Sequence, residues 1–181
     1  MRGYAQQLAG GKPNSLGDTE AVVADVLARP AAFDELFGCY FDDDELVRMR
    51  VSNAMKRIAA ARPELLLPYL DRFLSEVAYL PQPSAQWTLA QLLLVYSKAG
   101  RLSPKQYTTA VPLLRRPFDR TPEPAPWHDD WIVLNMTMNT LHHWAKSDTE
   151  LRAWFTPHLE RLADDRRKSI AGKARKFLGR G

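Results

Sequence analysis

The sequence predicts an all-α protein built from about four helix pairs, and three observations carry that prediction. Apolar residues return at helical spacing almost throughout, no sustained alternation of apolar and polar residues supports a sheet, and one apolar stripe recurs along the chain. The 181 residues suit one domain with a real core, expected over 19–181, and a quarter of them are charged, as in ordinary globular proteins.

Residues 1–18, with Gly10, Gly11, Pro13 and Gly17, read as a flexible N-terminal arm. Asp18 or Thr19 can then cap a helix over about 20–28, which Arg29-Pro30 ends. A second helix is expected over 31–41, a third from the acidic run Asp42 to Glu45 as far as about Ala61, and a fourth over 64–79. The turn Leu80-Pro-Gln-Pro83 leads into a buried helix closed by Gly100, and Ser103-Pro104 is a good start for the next, which runs towards Leu114. Four prolines between Arg115 and Trp127 require an extended loop. Three further helices are expected over about 128–146, 149–163 and 165–178.

Charge and cysteine usage narrow the class. Cys39 is the single cysteine, so no internal disulfide forms and a reducing compartment fits. The N-terminal stretch has no apolar core of a secretory signal, and the uncharged run Val77 to Ser97 is broken by Pro81, Gln82, Pro83 and Gln86. A cytoplasmic protein without a membrane partner is expected. Residues 161–180 hold eight Lys/Arg against Asp164 and Asp165, a net +6, whereas the rest of the chain is at −2.

The recurring stripe is clearest in DDDELVRMRVSNAMKRI, residues 42–58, with Val47, Val51, Ala54, Met55 and Ile58 on one face. It returns as Val133, Leu134, Thr137, Thr140, Leu141 and Trp144, and again around Ala171, Ala174 and Leu178. This segment resembles the turn and second helix of a HEAT repeat, in which an aspartate-bearing turn precedes a helix carrying an arginine. The resemblance covers residues 20–179 and implies a right-handed α-α superhelix of armadillo-like kind. It implies that Arg48 pairs with Asp43 or Asp44 in the turn. The acidic start also suits a helix N-terminus, where the macrodipole and free N–H groups favour negative charge.

In HEAT-like arrays the second helices line the concave face. The resemblance therefore implies a ligand-binding row of Arg50, Asn53, Lys56 and Arg57, then Asn135, Met138, Asn139 and His142, then Lys173 and Lys176. Amides and cations of this kind suit an acidic or polar extended ligand. A non-catalytic binding or scaffold module for a protein partner follows. The alternative is nucleic-acid binding through the basic C-terminal helix, as in HEAT-like DNA-repair glycosylases. The Trp, Asp and Arg of their groove find no counterpart, because Trp127 is followed four residues on by Trp131 rather than an acid.

Catalytic chemistry has little to build on. His128, Asp129, Asp130, His142, His143 and Asp148 are metal-ligand types at spacings that match no metal motif, and the aspartates read as helix caps. Cys39 among Phe37, Tyr40 and Phe41 reads as a small buried hydrophobe. No catalytic residue, metal or cofactor is expected. Trp87, Trp127, Trp131, Trp144 and Trp154 are expected mainly in the core, an exposed one marking a binding anchor.

Overall fold

The computed structural model describes residues 3–12, 15–119, 128 and 130–180. These residues form α-helices and short 3-10 turns, with no strand among them. The α-helices are α1 (Tyr4–Leu8), α2 (Thr19–Ala28), α3 (Phe33–Gly38), α4 (Glu45–Ala61), α5 (Leu70–Ser75), α6 (Pro83–Lys98), α7 (Pro104–Arg115), α8 (Trp131–Trp144), α9 (Thr149–Leu162) and α10 (Lys168–Phe177). The chain divides into two compact units, Met1–Leu92 and Leu93–Gly181, so the single domain expected over 19–181 has an internal division that falls within α6.

In the N-terminal unit, α4 buries the stripe read from the sequence: Val47, Val51, Ala54, Met55 and Ile58 are almost wholly inaccessible to solvent. Its start is capped as an acidic turn should be. The Asp44 carboxylate accepts from Leu46 N–H at 2.8 Å, and Asp42 accepts from Asp44 N–H at 2.9 Å. The implied Arg48 ion pair is corrected. Arg48 donates instead to the backbone oxygens of Asp42 (2.6 Å) and Asp43 (2.9 Å) and to the Gln82 amide oxygen (3.3 Å). The carboxylate of Asp44 is already occupied with the cap, so the arginine ties the turn through its carbonyls.

Two expected helices are shorter than the periodicity suggested. The helix expected over 31–41 is α3 flanked by 3-10 turns at Pro30–Ala32 and Cys39–Phe41. The one expected over 64–79 is reduced to α5, with 3-10 turns at Pro63–Leu65, Leu67–Tyr69 and Val77–Tyr79. Pro63 and Pro68 remove backbone donors, which favours tight single turns over a continuous ladder. Packing then holds the pieces: Phe37 meets Phe73 edge-on at 5.3 Å, and Tyr40 meets Phe73 at 5.7 Å.

The expected N-terminal arm carries a helix of its own. Residues 4–8 form α1, which packs on α2 and α4, with Tyr4 and Leu8 buried. Tyr4 donates its hydroxyl proton to Asp25 at 2.7 Å, and its backbone N–H meets the Glu35 carboxylate at 2.9 Å. The following loop closes on Arg50, whose side chain is wholly buried. Its guanidinium donates to the carbonyls of Leu8 and Gly10 (2.5 Å each), Lys12 (3.1 Å) and Ser15 (3.2 Å). Gly17 passes over the guanidinium at φ +52°, and a Cβ there would lie 2.8 Å from Arg50 Cζ and Nη1.

The C-terminal unit holds the end of α6 and α7 to α10. Gly100, at φ +65°, ends α6 with its N–H bonded to the Ser97 carbonyl at 3.0 Å. Helix α7 opens on a capping box between Ser103 and Gln106. Helix α8 buries all six expected stripe positions, Val133, Leu134, Thr137, Thr140, Leu141 and Trp144. Trp144 donates its indole N–H to Ser97 at 2.8 Å, which resolves the one polar atom of that buried ring. Helix α10 packs on both α8 and α9 through Ile170, Ala171 and Ala174.

Arg50→Met should destabilise the protein by about 3 kcal/mol in urea unfolding, because it strips partners from several carbonyls at once. Gly17→Ala should lose about 2 kcal/mol, from the left-handed backbone and the displaced guanidinium. Both variants should expose the segment before α2 to protease faster than wild type. Wild-type stability in both would show that the loop is not held by this arginine.

Candidate binding site

The candidate row falls into two sets, one in each unit. In the N-terminal unit, Arg50 leaves the row: it is buried and spent on backbone carbonyls, so it cannot meet a ligand. The resemblance that placed it in the row carried no information on the loop oxygens that meet it. Asn53 turns its amide back onto the Met49 carbonyl at 3.2 Å and stays half-buried. Lys56 lies over the Trp87 ring, its ammonium 4.0 Å from the centroid. Arg57 is exposed and sits 3.3 Å from the Glu20 carboxylate.

In the C-terminal unit the structure brings the remaining candidates to one seam between α8 and α10. Lys173 donates to the backbone oxygen of Asn135 at 3.2 Å. His142 stacks on Phe177 with ring centroids 3.9 Å apart and planes 3° from parallel. Asn139, His142 and Lys173 are half-buried, and Lys176 is exposed. Asn135 and Met138 are buried against neighbouring helices, so they are corrected from ligand-facing positions to packing ones. Phe177, which completes the seam, is not in the sequence-derived row. Its position on α10 marks it as apolar, yet nothing in the spacing pairs it with a histidine 35 residues earlier.

Electrostatics give the seam its character. Burial lowers the pKa of Lys173, and the neighbouring Lys176 lowers it further. Burial likewise holds His142 below the ordinary histidine range, followed by the charges of Lys146 and His143. Lys56 repeats the pattern in the other unit, lowered by burial and then by Arg57. At each of these three positions the charged neighbours named are cations. At Lys173 and His142 these neighbours add positive potential, whereas beside Lys56 the Arg57 charge faces the Glu20 carboxylate.

The chemical alternatives are absorbed by structural roles. Asp130 caps α8 by accepting from Ile132 and Val133 N–H at 2.8 and 2.9 Å. Asp148 caps α9 through Leu151 N–H at 2.8 Å and accepts the Tyr107 hydroxyl at 2.6 Å. Among the described residues no group of three or more His, Cys, Asp or Glu is placed to hold a metal ion. Asp129 and Trp127 lie outside the described residues. Burial pushes the Cys39 thiol up to about 12, so it carries almost no thiolate at neutral pH.

The tryptophans divide. Trp144 is buried as expected, Trp87 carries Lys56, and Trp154 lies between the Arg115 guanidinium at 4.6 Å and the His158 ring at 4.3 Å. Trp131, expected in the core, is instead 52% exposed at the first position of α8. No helix among the described residues is long and apolar enough to cross a membrane. Compared with protein-family models, with curated proteins and with solved structures, the chain matches none.

The histidines yield a pH prediction. His142, His143 and His158 all have folded pKa values below the usual 6.5, burial being the largest cause in each. A base whose charged form is disfavoured in the fold contributes its full stability above the unfolded pKa and loses it as pH falls below. The carboxylates of Asp25, Asp148 and Asp165 are held below the ordinary range, so their contribution is present above the unfolded carboxylate pKa, is lost only as pH falls below it through the folded values, and does not enter the window above pH 5.5. The melting temperature should therefore drop between pH 7.5 and 5.5, and His142→Asn should shrink that drop. A flat profile over this range would contradict the assignment.

Proposed function

We propose that the chain is a short HEAT-like solenoid acting as a non-catalytic binding or scaffold module, and that it recognises an acidic segment of a protein partner. The observation that carries this reading is the α8–α10 seam. There Asn139, His142, Lys173 and Lys176 come together on adjoining helices with cations as their charged neighbours. Such a surface favours carboxylates by long-range attraction, and its half-buried side chains are held in place before the ligand arrives, which reduces the ordering entropy of binding. The neighbouring cations Lys168 and Arg175 are exposed on α10 and extend the same field.

Nucleic-acid binding is the second reading, favoured by that exposed basic helix. The two are separable because phosphate binding is indifferent to apolar anchors and strongly dependent on salt. Lys173 is a poor residue for the test, since its bond to Asn135 makes it part of the packing. Arg175→Glu with Lys176→Glu reverses two exposed cations and should change stability by less than about 0.5 kcal/mol. The double variant should bind poly-L-glutamate at least about tenfold more weakly than wild type at moderate salt. Unchanged binding would remove the seam from the site. Sub-micromolar binding of duplex DNA at physiological salt, lost in the same variant, would replace the protein-partner reading with the nucleic-acid one.

A further inference from the structure

One end of the seam opens into a cavity of about 240 Å³ between the C-terminal end of α8, the middle of α9 and the end of α10. Its apolar lining includes Phe155, Leu159 and Phe177, and its polar lining includes His142, Lys146 and Arg152. Phe155 and Leu159 are one turn apart on α9, and Phe177 is fixed by its stack on His142. Lys146 and Arg152 are exposed, and among the described residues neither is bridged to a carboxylate. The site is thus apolar within, cationic around the edge, and carries no acid in its lining.

We infer that this cavity receives one large apolar side chain, aromatic or leucine-sized, from an acidic segment of the protein partner, with carboxylates on either side of that anchor meeting Lys146 and Arg152. The inference rests on the binding-module reading and names the surface and the chemistry it selects. Size decides the anchor. A cavity of roughly 150 Å³ holds a benzene ring, whereas pockets for drug-sized molecules and cofactors begin at about 300 Å³. This one is large enough for a single side chain and too small for an extended cofactor. Charge decides the flanks, since unpaired cations at the edge of an apolar pocket favour a carboxylate and repel a basic segment. The arrangement has the form of an interface hot spot, a buried anchor ringed by polar contacts. A free aryl carboxylate shares this chemistry but offers a single charge to two cations.

The test uses the full chain and three capped tripeptides: acetyl-Asp-Phe-Asp-amide, its neutral analogue acetyl-Asn-Phe-Asn-amide, and the anchorless acetyl-Asp-Ala-Asp-amide. Binding is followed at low salt through the ring-proton resonances of His142, with 3-phenylpropionate as a free carboxylate for comparison. The acidic phenylalanine peptide should shift the His142 signals saturably. It should bind about tenfold more tightly than either the neutral or the anchorless peptide, in line with two surface ion pairs and one buried ring. Lys146→Ala with Arg152→Ala, both exposed, should fold normally and reduce its affinity to that of the neutral peptide. Equal binding of all three peptides, or binding that leaves His142 unmoved, overturns the proposal. If binding leaves His142 unmoved but is lost in the Arg175→Glu, Lys176→Glu variant, the seam reading stands and the cavity alone is excluded. Saturation by 3-phenylpropionate as tightly as by the acidic peptide overturns the assignment to a protein segment in favour of a small carboxylate.

Discussion

The N-terminal unit depends on one buried cation. A guanidinium removed from water is strongly destabilising unless acceptors surround it, and Arg50 has backbone carbonyls for that purpose rather than a carboxylate. The constraint propagates in both directions along the chain. Leu8 ends α1, and Gly10, Lys12 and Ser15 follow it outside any helix, so the arginine supplies donors to several of these oxygens from one fork. The loop that brings them must pass close over the side chain, which requires glycine at 17. Once the loop is closed, α1 is delivered to α2 and α4, and the Tyr4 hydroxyl reaches Asp25, itself bonded to Arg29.

The same principle, that a cation does what its neighbours leave it free to do, separates structure from function elsewhere. Arg48 is spent on the turn carbonyls, Arg167 on Asp165, and Arg72 on Glu76. Lys56 is held against an indole face, and Lys173 bridges two helices with Lys176 as its charged neighbour. Lys146, Arg152, Arg175 and Lys176 are left to water. That last group, with the half-buried His142, forms the proposed anion-binding surface, and the Phe155, Leu159 and Phe177 lining is the apolar part of the proposed site.

Periodicity made much of the fold legible, because a helix that buries one face must repeat its apolar residues at helical spacing. The α4 and α8 stripes were readable in this way, and the start of α7 at Ser103-Pro104 and the end of α6 at Gly100 from their capping residues. Periodicity is blind to partners that come from elsewhere in the chain. The HEAT resemblance implied that Arg50 lies on a ligand face, and the glycine-rich N-terminal sequence gave no sign that backbone oxygens from Leu8 to Ser15 would meet it. The resemblance likewise implied that Asn135 and Met138 face a ligand, whereas both are buried on α8, a helix that α10 packs against. The interrupted helices around Pro63 and Pro68 were a matter of local donors that an apolar pattern does not count. The cavity was the least legible feature, since its lining residues are spread from 142 to 178 over three helices.

Arg50 is structural and buried, whereas Arg152 and Arg175 are exposed to solvent. Exchange of guanidinium Nε–H protons with water, measured residue by residue by NMR, tests this division most directly. Arg50 should exchange at least about tenfold more slowly than Arg152 and Arg175, because its protons are released only when the loop over it opens. An Arg50 that exchanges as fast as Arg175 would contradict the account, for its carbonyl partners would then be no more than passing contacts.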